Sequence, residues 1–72
     1  MNDKNGNKIF EGDILKLISD NEISYYDVVY PETDCRWIIR KNGIYQDVLD
    51  EFAERYMTVA GNIYDNPELL EE

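Results

Sequence analysis

The stretch Gly61–Leu70, GNIYDNPELL, places a glycine, turn-forming residues and a leucine pair near the end of a chain of 72 residues. Gly61 has no side chain, so the backbone can bulge there or lie close to another segment. The residues that follow, Asn62–Tyr64, are expected to continue a β-strand. The first half of the stretch therefore predicts the last strand of a sheet.

The second half of the stretch predicts a turn and then a short helical turn. Pro67 is expected at the first helical position, because proline lacks the N–H that would be unpaired there. Asp65 or Asn66 can cap that turn. Leu69 and Leu70 would then fold back over an open end of the sheet. We interpret the whole stretch as the closing segment of a small β-rich domain.

The size and composition of the chain indicate one domain, residues 1–72. A chain this short buries only about 60% of the surface that its unfolded form exposes, which leaves little room for a catalytic cleft. Apolar residues make up 43% and aromatic residues 12% of the chain, as in a globular protein. No apolar run is long enough to cross a bilayer, and the N-terminus lacks an apolar signal segment. We expect a cytoplasmic protein without membrane contact.

Groups that carry catalysis are scarce. The chain has no histidine and a single cysteine, Cys35. The lack of histidine removes the Ser-His and Cys-His pairs and nearly all catalytic zinc arrangements. Cys35 is expected to be a half-buried strand residue rather than a reactive thiol. We predict a protein that is not an enzyme and that uses no metal and no cofactor.

A calcium loop is the one metal motif that the N-terminal residues suggest. Asp3, Asn5 and Asn7 stand at alternate positions, as EF-hand ligands do. However, Lys8 stands where the loop needs its glycine, and Ile14 where it needs a bidentate glutamate. We therefore predict a structural turn in this segment.

The charge balance bears on the class of partner. Sixteen acidic and seven basic residues give a net charge of −9, which repels phosphate backbones unless the cations gather on one face. The cations are scattered along the chain. Direct nucleic-acid binding is therefore disfavoured, and a protein partner with a basic surface is expected.

Extended segments and turn signals alternate along most of the chain. Asn5-Gly6 and Gly12-Asp13 predict turns, and Asn42-Gly43 predicts a hairpin turn between two apolar runs. Pro31 ends a strand, because it cannot donate to a ladder. Strands are expected at Ile14–Ile18, Ile23–Tyr30, Arg36–Arg40, Ile44–Gln46 and Met57–Ala60.

One helix is predicted over Asp47–Tyr56, where the apolar period changes from two to about 3.6 and Asp47 is a suitable N-cap. The helical spacing predicts a buried apolar face made of Val48, Leu49, Phe52, Ala53 and Tyr56. The opposite face would carry an acidic stripe made of Asp47, Asp50, Glu51 and Glu54.

Two segments resemble the YopX family of small phage and prophage proteins. In Asp3–Leu17, DKNGNKIFEGDILKL, a Lys-Asn-Gly turn and an aromatic residue precede Glu-Gly-Asp and a strand. In Val59–Glu72, VAGNIYDNPELLEE, the chain ends with the Gly-Asn-Ile-Tyr-Asx-Asn-Pro-Glu-Leu-Leu pattern of that family. Together the segments cover 29 of 72 residues, in the order and spacing of the family.

The resemblance implies a mainly β fold: a small SH3-like, partly open barrel of about five strands, with one helix and a short C-terminal helical turn. It also implies a phage or prophage origin in a bacterial host, with the protein in the host cytoplasm, and no established enzymatic role. The family offers no catalytic residues. The matched residues are implied only as determinants of the fold, and they are Gly12, Asp13, Gly61, Asn62 and Pro67.

The leading functional hypothesis is an acidic interaction module that docks on a basic surface of a protein partner. Dense carboxylates on a small scaffold can occupy a groove that normally holds phosphates. The specific version is inhibition of a host nucleic-acid enzyme or defence complex. Candidate contact residues are the acidic stripe together with Tyr25 and Tyr26, since exposed tyrosines anchor many interfaces.

Two alternatives stand beside this hypothesis. A nucleic-acid-associated phage regulator would use a basic and aromatic platform made of Arg36, Trp37, Arg40 and Lys41. A self-assembling structural protein would form homo-oligomers through an open sheet edge.

Overall fold

The computed structural model describes residues 2–31, 36–41, 44–48 and 51–70, and of residues 45–48 it describes only the backbone. Some sequence-based predictions lie outside these residues. They concern the setting of Cys35, the Asn42-Gly43 turn and the helical positions Leu49 and Asp50.

The described residues form one antiparallel sheet with the strand order β4-β3-β2-β1-β5. A short helix joins the two edge strands in sequence, and a 3-10 helix follows the last strand. These elements are β1 (Asp13–Ser19), β2 (Glu22–Val29), β3 (Ile38–Lys41), β4 (Ile44–Val48), α1 (Glu51–Tyr56), β5 (Met57–Asn62) and the 3-10 helix (Pro67–Leu70). The predicted mainly β class, with one helix and a C-terminal helical turn, is confirmed. Within the described ranges β4 and β5 do not pair, so the sheet is not a closed barrel.

The hairpin of β1 and β2 is the centre of the sheet. Its two-residue turn consists of Asp20 and Asn21, whose φ angles are +50° and +65°. Positive φ at both central residues is what a tight hairpin turn requires, and Asp and Asn accept it at low cost. The turn therefore sets the register that places Leu15 opposite Tyr26.

The main core lies on one face of the sheet. Alternate residues of a strand point to the same face, which places Leu15 and Leu17 of β1 on this side. Helix α1 covers this face with the small side chain of Ala53, which is 1% exposed. The buried cluster consists of Ile9, Leu15, Val28, Ile39, Ala53 and Met57.

The opposite face of the sheet also contains buried residues. Ile14 is completely buried and stands opposite Asp27, which is itself 3% exposed. The C-terminal 3-10 helix contacts β2, and its Leu69 and Leu70 are half-buried. The C-terminal segment therefore folds back against the sheet, and the strand that it contacts is the inner strand β2.

The predicted start of the helix is wrong. Helix α1 begins at Glu51, whereas Asp47 and Val48 belong to β4 and pair with Ile39 and Ile38 of β3. Asp47 is therefore a strand residue and not an N-cap. The physical reason is that a residue in a ladder gains cross-strand hydrogen bonds, while a short helix has to overcome an unfavourable nucleation step.

The predicted buried face of the helix is only partly right. Ala53 is buried, but Phe52 is 47% exposed and Tyr56 is 55% exposed. Their rings lie against each other, with centroids 4.8 Å apart. A helix of six residues touches the core over less than two turns, so one small residue provides its described buried contact.

Candidate functional site

The structure shortens the predicted acidic stripe. Glu51 and Glu54 are exposed on α1. Asp47 lies in β4, and Asp50 is outside the described residues. Asp47 therefore does not share a helical face with Glu51 and Glu54, which are exposed on α1.

An exposed aromatic pair accompanies these two carboxylates. Phe52 and Tyr56 are one helical turn apart, their rings lie against each other, and both residues are about half exposed to solvent. Arg55 is also exposed on this short helix, where its charge suits the C-terminal end of the helix dipole. We define the α1 surface as Glu51, Phe52, Glu54 and Tyr56, because these residues combine negative charge with apolar area.

The two candidate tyrosines of β2 do not belong to this surface. Tyr26 is half-buried and packs against the core cluster. Tyr25 is half-buried and points to the opposite face, where it stands across from Lys16 of β1. Because adjacent strand residues face opposite sides, the two tyrosines cannot contribute to one flat contact.

Several carboxylates have structural partners. Asp27 is 3% exposed and accepts hydrogen bonds from Arg40 Nε, at 3.1 Å, and Arg40 Nη2, at 2.6 Å, on the same Oδ2 atom. The two residues are direct cross-strand neighbours in β2 and β3. This ion pair neutralises a charge that would be costly to bury alone.

Asp3 is the second buried carboxylate, at 3% exposure. Its Oδ1 accepts the backbone N–H groups of Asn5 and Asn7, at 2.9 and 2.8 Å. Its Oδ2 accepts the N–H of Val59, at 2.8 Å, and the side-chain amide of Asn7, at 3.3 Å. The predicted structural turn therefore exists, and its carboxylate is bonded to amides of the chain.

The hydrogen bonds decide the acidity of Asp3. Burial by itself raises the pKa of this carboxyl group, but the bonds from Val59, Asn7 and Asn5 stabilise the charged form. The resulting pKa lies below its ordinary value. Asp3 is thus a permanently charged anchor at neutral pH and is unsuited to proton transfer there.

The Glu-Gly-Asp motif also forms loop contacts. Glu11 Oε2 accepts the N–H of Tyr30, and Asp13 Oδ2 accepts the N–H of Phe10, both at 2.8 Å. Gly12 has a φ of +91°, which favours glycine. Its N–H donates to the carbonyl of Val28 at 2.9 Å. The motif joins the entry of β1 to the end of β2.

The C-terminal motif uses an asparagine pair. Asn62 Oδ1 accepts the N–H groups of Tyr64 and Asp65, at 2.9 and 2.8 Å, which forms an Asx turn and ends β5 at Asn62. The predicted strand continuation to Tyr64 is therefore wrong. Pro67 begins the 3-10 helix, as predicted.

Close packing explains why a glycine stands at position 61. A Cβ atom on Gly61 would lie 2.4 Å from Asn66 Oδ1. The same Oδ1 atom accepts the N–H of Asn62 at 3.3 Å. Asn66 therefore holds the end of β5 through its side chain. Of the two features predicted for Gly61, the close approach is present, and the pairing with β1 also shifts register between Gly61 and Val59.

The basic and aromatic platform of the nucleic-acid alternative is partly engaged elsewhere. Arg40 is paired with Asp27. Trp37 is half-buried, packs against the core and meets the ring of Tyr30 edge-on at 5.0 Å. A stacking surface for bases needs an open ring, so this arrangement favours a structural role for Trp37.

The described residues offer neither a metal-binding cluster nor a helix that could span a membrane. Among the described residues, no group of three or more acidic or cysteine side chains is placed to hold a metal ion. None of the helices in this part of the chain has the length and apolar character needed to span a membrane.

These features define a class: a small, acidic, mainly β domain whose two sequence motifs fasten its loops to the sheet. A family model described as YopX protein matches residues 1–71. The chain belongs to the YopX family, and the resemblance of its two terminal segments is confirmed. A search of curated proteins found no match.

Proposed function

We propose that this chain is a non-enzymatic phage or prophage protein that docks through its acidic surface on a basic surface of a protein partner. Family membership supports the phage origin. The observation that carries the docking proposal is the net charge of −9 on 72 residues. A charge of this density speeds association with a basic partner and disfavours nucleic acid.

The α1 surface is the proposed contact region. Glu51 and Glu54 supply charge, and Tyr56 supplies apolar area together with a polar tip, a combination common at the centre of interfaces. This region replaces the four-carboxylate stripe of the sequence-based hypothesis. A groove that binds phosphates in a host nucleic-acid enzyme or defence complex is the proposed target.

The test begins with affinity capture from host lysate on the immobilised chain, followed by purification of the captured protein. Its affinity is then measured at about 0.1 M and about 1 M NaCl, where the Debye length falls from about 10 Å to about 3 Å. We expect at least a tenfold loss of affinity over this range, roughly 1.4 kcal/mol. An affinity that does not change with salt would contradict docking by charge.

A matched pair of variants locates the contact. Glu51→Gln with Glu54→Gln removes two charges from the α1 surface, and Glu22→Gln with Glu68→Gln removes two exposed charges elsewhere. We expect the first pair to weaken binding at least about twofold, since each exposed ion pair contributes about 0.2–1 kcal/mol. Equal effects of the two pairs would show that only the net charge matters and would refute the α1 surface as the contact.

A further inference from the structure

Strand β5 is an edge strand that lacks charged side chains. Its sequence, MTVAGN over Met57–Asn62, contains no Lys, Arg, Asp or Glu. The free N–H and C=O groups of an edge strand pair readily with another chain, and proteins commonly prevent this with charges or proline. The chain as a whole has a net charge of −9, but β5 itself carries no charge. Its edge therefore needs another form of protection from pairing with a second strand.

Two outward backbone groups of β5 are occupied by two consecutive residues of the N-terminus. In an antiparallel strand, successive residues direct their N–H and C=O groups to opposite sides. The carbonyl of Met57 accepts the N–H of Lys4, and the N–H of Val59 donates to Asp3 Oδ2, both at 2.8 Å. Lys4 and Asp3 thus take the positions that a further strand would take.

The segment that provides these groups is ordered by its own bonds. Within Asn2–Lys8, which we call the edge plug, Asn2 and Lys8 form an antiparallel bridge. The N–H of Asp3 donates to the carbonyl of Asn7, and the N–H of Gly6 donates to the carbonyl of Asp3. Gly6 has a φ of +84°. The plug is therefore a compact turn that presents Asp3 and Lys4 to β5.

We propose that the edge plug prevents β5 from pairing with β5 of a second copy of this chain. The geometry points to a second copy because the outward groups are self-complementary. About a two-fold axis at Thr58, the N–H of Val59 would donate to the carbonyl of Met57 of the other copy, and the reverse. The edge plug occupies both the N–H of Val59 and the carbonyl of Met57, so neither is available to another copy. This proposal involves β5 and not the α1 surface, so it does not depend on the docking function.

Two variants each remove one of the two plug contacts. Asp3→Asn replaces an acceptor oxygen by an amide, so the turn and the N–H of Val59 cannot both be satisfied. Lys4→Pro removes the N–H that donates to Met57, at the turn position that proline favours. Asp65→Asn is the control: it makes the same change at an exposed carboxylate that bonds the side chain of Asn62.

Self-association is measured by light scattering over a concentration series at about 1 M NaCl, because repulsion between acidic copies is screened there. We expect Asp3→Asn and Lys4→Pro to associate at least tenfold more tightly than the wild type and Asp65→Asn. Adding Ala60→Lys, an exposed position of β5, should reverse the association, since an edge lysine blocks strand pairing.

Amide hydrogen exchange at Val59 makes the test decisive. In both plug variants this amide should exchange at least tenfold faster than in the wild type before association. If the Val59 amide exchanges faster in these variants but the molar mass from light scattering does not rise, the proposal is overturned. Unchanged exchange of this amide would overturn it as well. If neither variant folds, the wild type still provides a test: a Val59 amide that exchanges as fast as a fully exposed amide would show that no plug protects the edge.

Discussion

At the scale of single residues, Asp3 shows what local sequence reasoning misses. Its spacing from Asn5 and Asn7 predicts a turn, and the turn exists. Its bond to Val59 joins residues 56 positions apart. No local pattern contains that contact, because it depends on where β5 lies in the finished sheet.

Asp3 predicts a specific dependence of stability on pH. Its folded-state pKa is lowered, so between that value and the unfolded value of about 3.9 the unfolded state binds more protons. The stabilisation is therefore complete above the unfolded pKa and is lost as the pH falls through the folded pKa. We expect Asp3→Asn to lower the free energy of unfolding by about 1–3 kcal/mol at neutral pH.

Urea unfolding from pH 7 down to pH 2 measures this effect. The difference in free energy between the wild type and Asp3→Asn should shrink as the pH falls. Asp65→Asn, which changes an exposed carboxylate, is the matched control and should show a small difference throughout. A difference for Asp3→Asn that stays constant with pH would exclude its carboxylate charge as the source.

At the scale of elements, the boundary between β4 and α1 shows a competition between local and non-local structure. The residues of Asp47–Tyr56 have helical apolar spacing, yet Asp47 and Val48 pair with β3. Their cross-strand partners, Ile39 and Ile38, are 8 and 10 residues away in sequence, and this pairing outweighs the helical preference at this end. The sheet therefore determines where the helix begins.

The join between β5 and the 3-10 helix predicts a coupling between two side chains. Gly61→Ala would place a Cβ atom 2.4 Å from Asn66 Oδ1, so Asn66 has to move and its bond to the N–H of Asn62 is lost. We expect a cost of about 1–3 kcal/mol, as for other overpacked sites. Urea unfolding of the single variants and of Gly61→Ala with Asn66→Ala measures this.

The double variant separates the close contact from the general effect of removing a glycine. Asn66→Ala removes the atoms nearest to the new methyl group, so the combined cost should be at least about 0.5 kcal/mol less than the sum of the single costs. Gly6→Ala, where the added Cβ meets nothing within 4 Å, should show no such coupling with Asn66→Ala. Purely additive costs at Gly61 and Asn66 would contradict a direct contact.

At the scale of the whole molecule, the acidic residues have two distinct uses. Asp3 and Asp27 are buried with partners, and Glu11 and Asp13 bond backbone amides. Other carboxylates, such as Glu51, are exposed. The formal charge thus combines structural groups with surface groups, and only the surface groups are available to a partner.

The net charge of −9 predicts that salt stabilises the fold. Repulsion is stronger in the compact state than in the expanded chain. We expect the free energy of unfolding to rise by roughly 1 kcal/mol between about 0.01 M and about 0.15 M NaCl, as exposed like charges are screened. Urea unfolding at both concentrations measures this rise.

The charge-reduced variant is the control for that measurement. Glu22→Gln with Glu68→Gln removes two exposed acidic groups, so its stability should rise less with salt than that of the wild type. Stability that falls with added salt would indicate that attractive ion pairs, such as Asp27 with Arg40, outweigh the repulsion.

The sequence by itself determined the mainly β class, most strands and the turns at Gly6, Gly12 and Pro67. These features depend on residues close together in the chain, through alternation, φ preference and the missing N–H of proline. Short-range chemistry suffices for them.

Only the tertiary structure decided the start of α1, the exposure of Phe52 and Tyr56, and the partners of Asp3 and Asp27. Each depends on segments that meet in space after the strands have paired, and one sequence contains no direct record of those distances. The same reason explains why the sequence pattern places Asp47 in the acidic stripe and why it does not predict the edge plug.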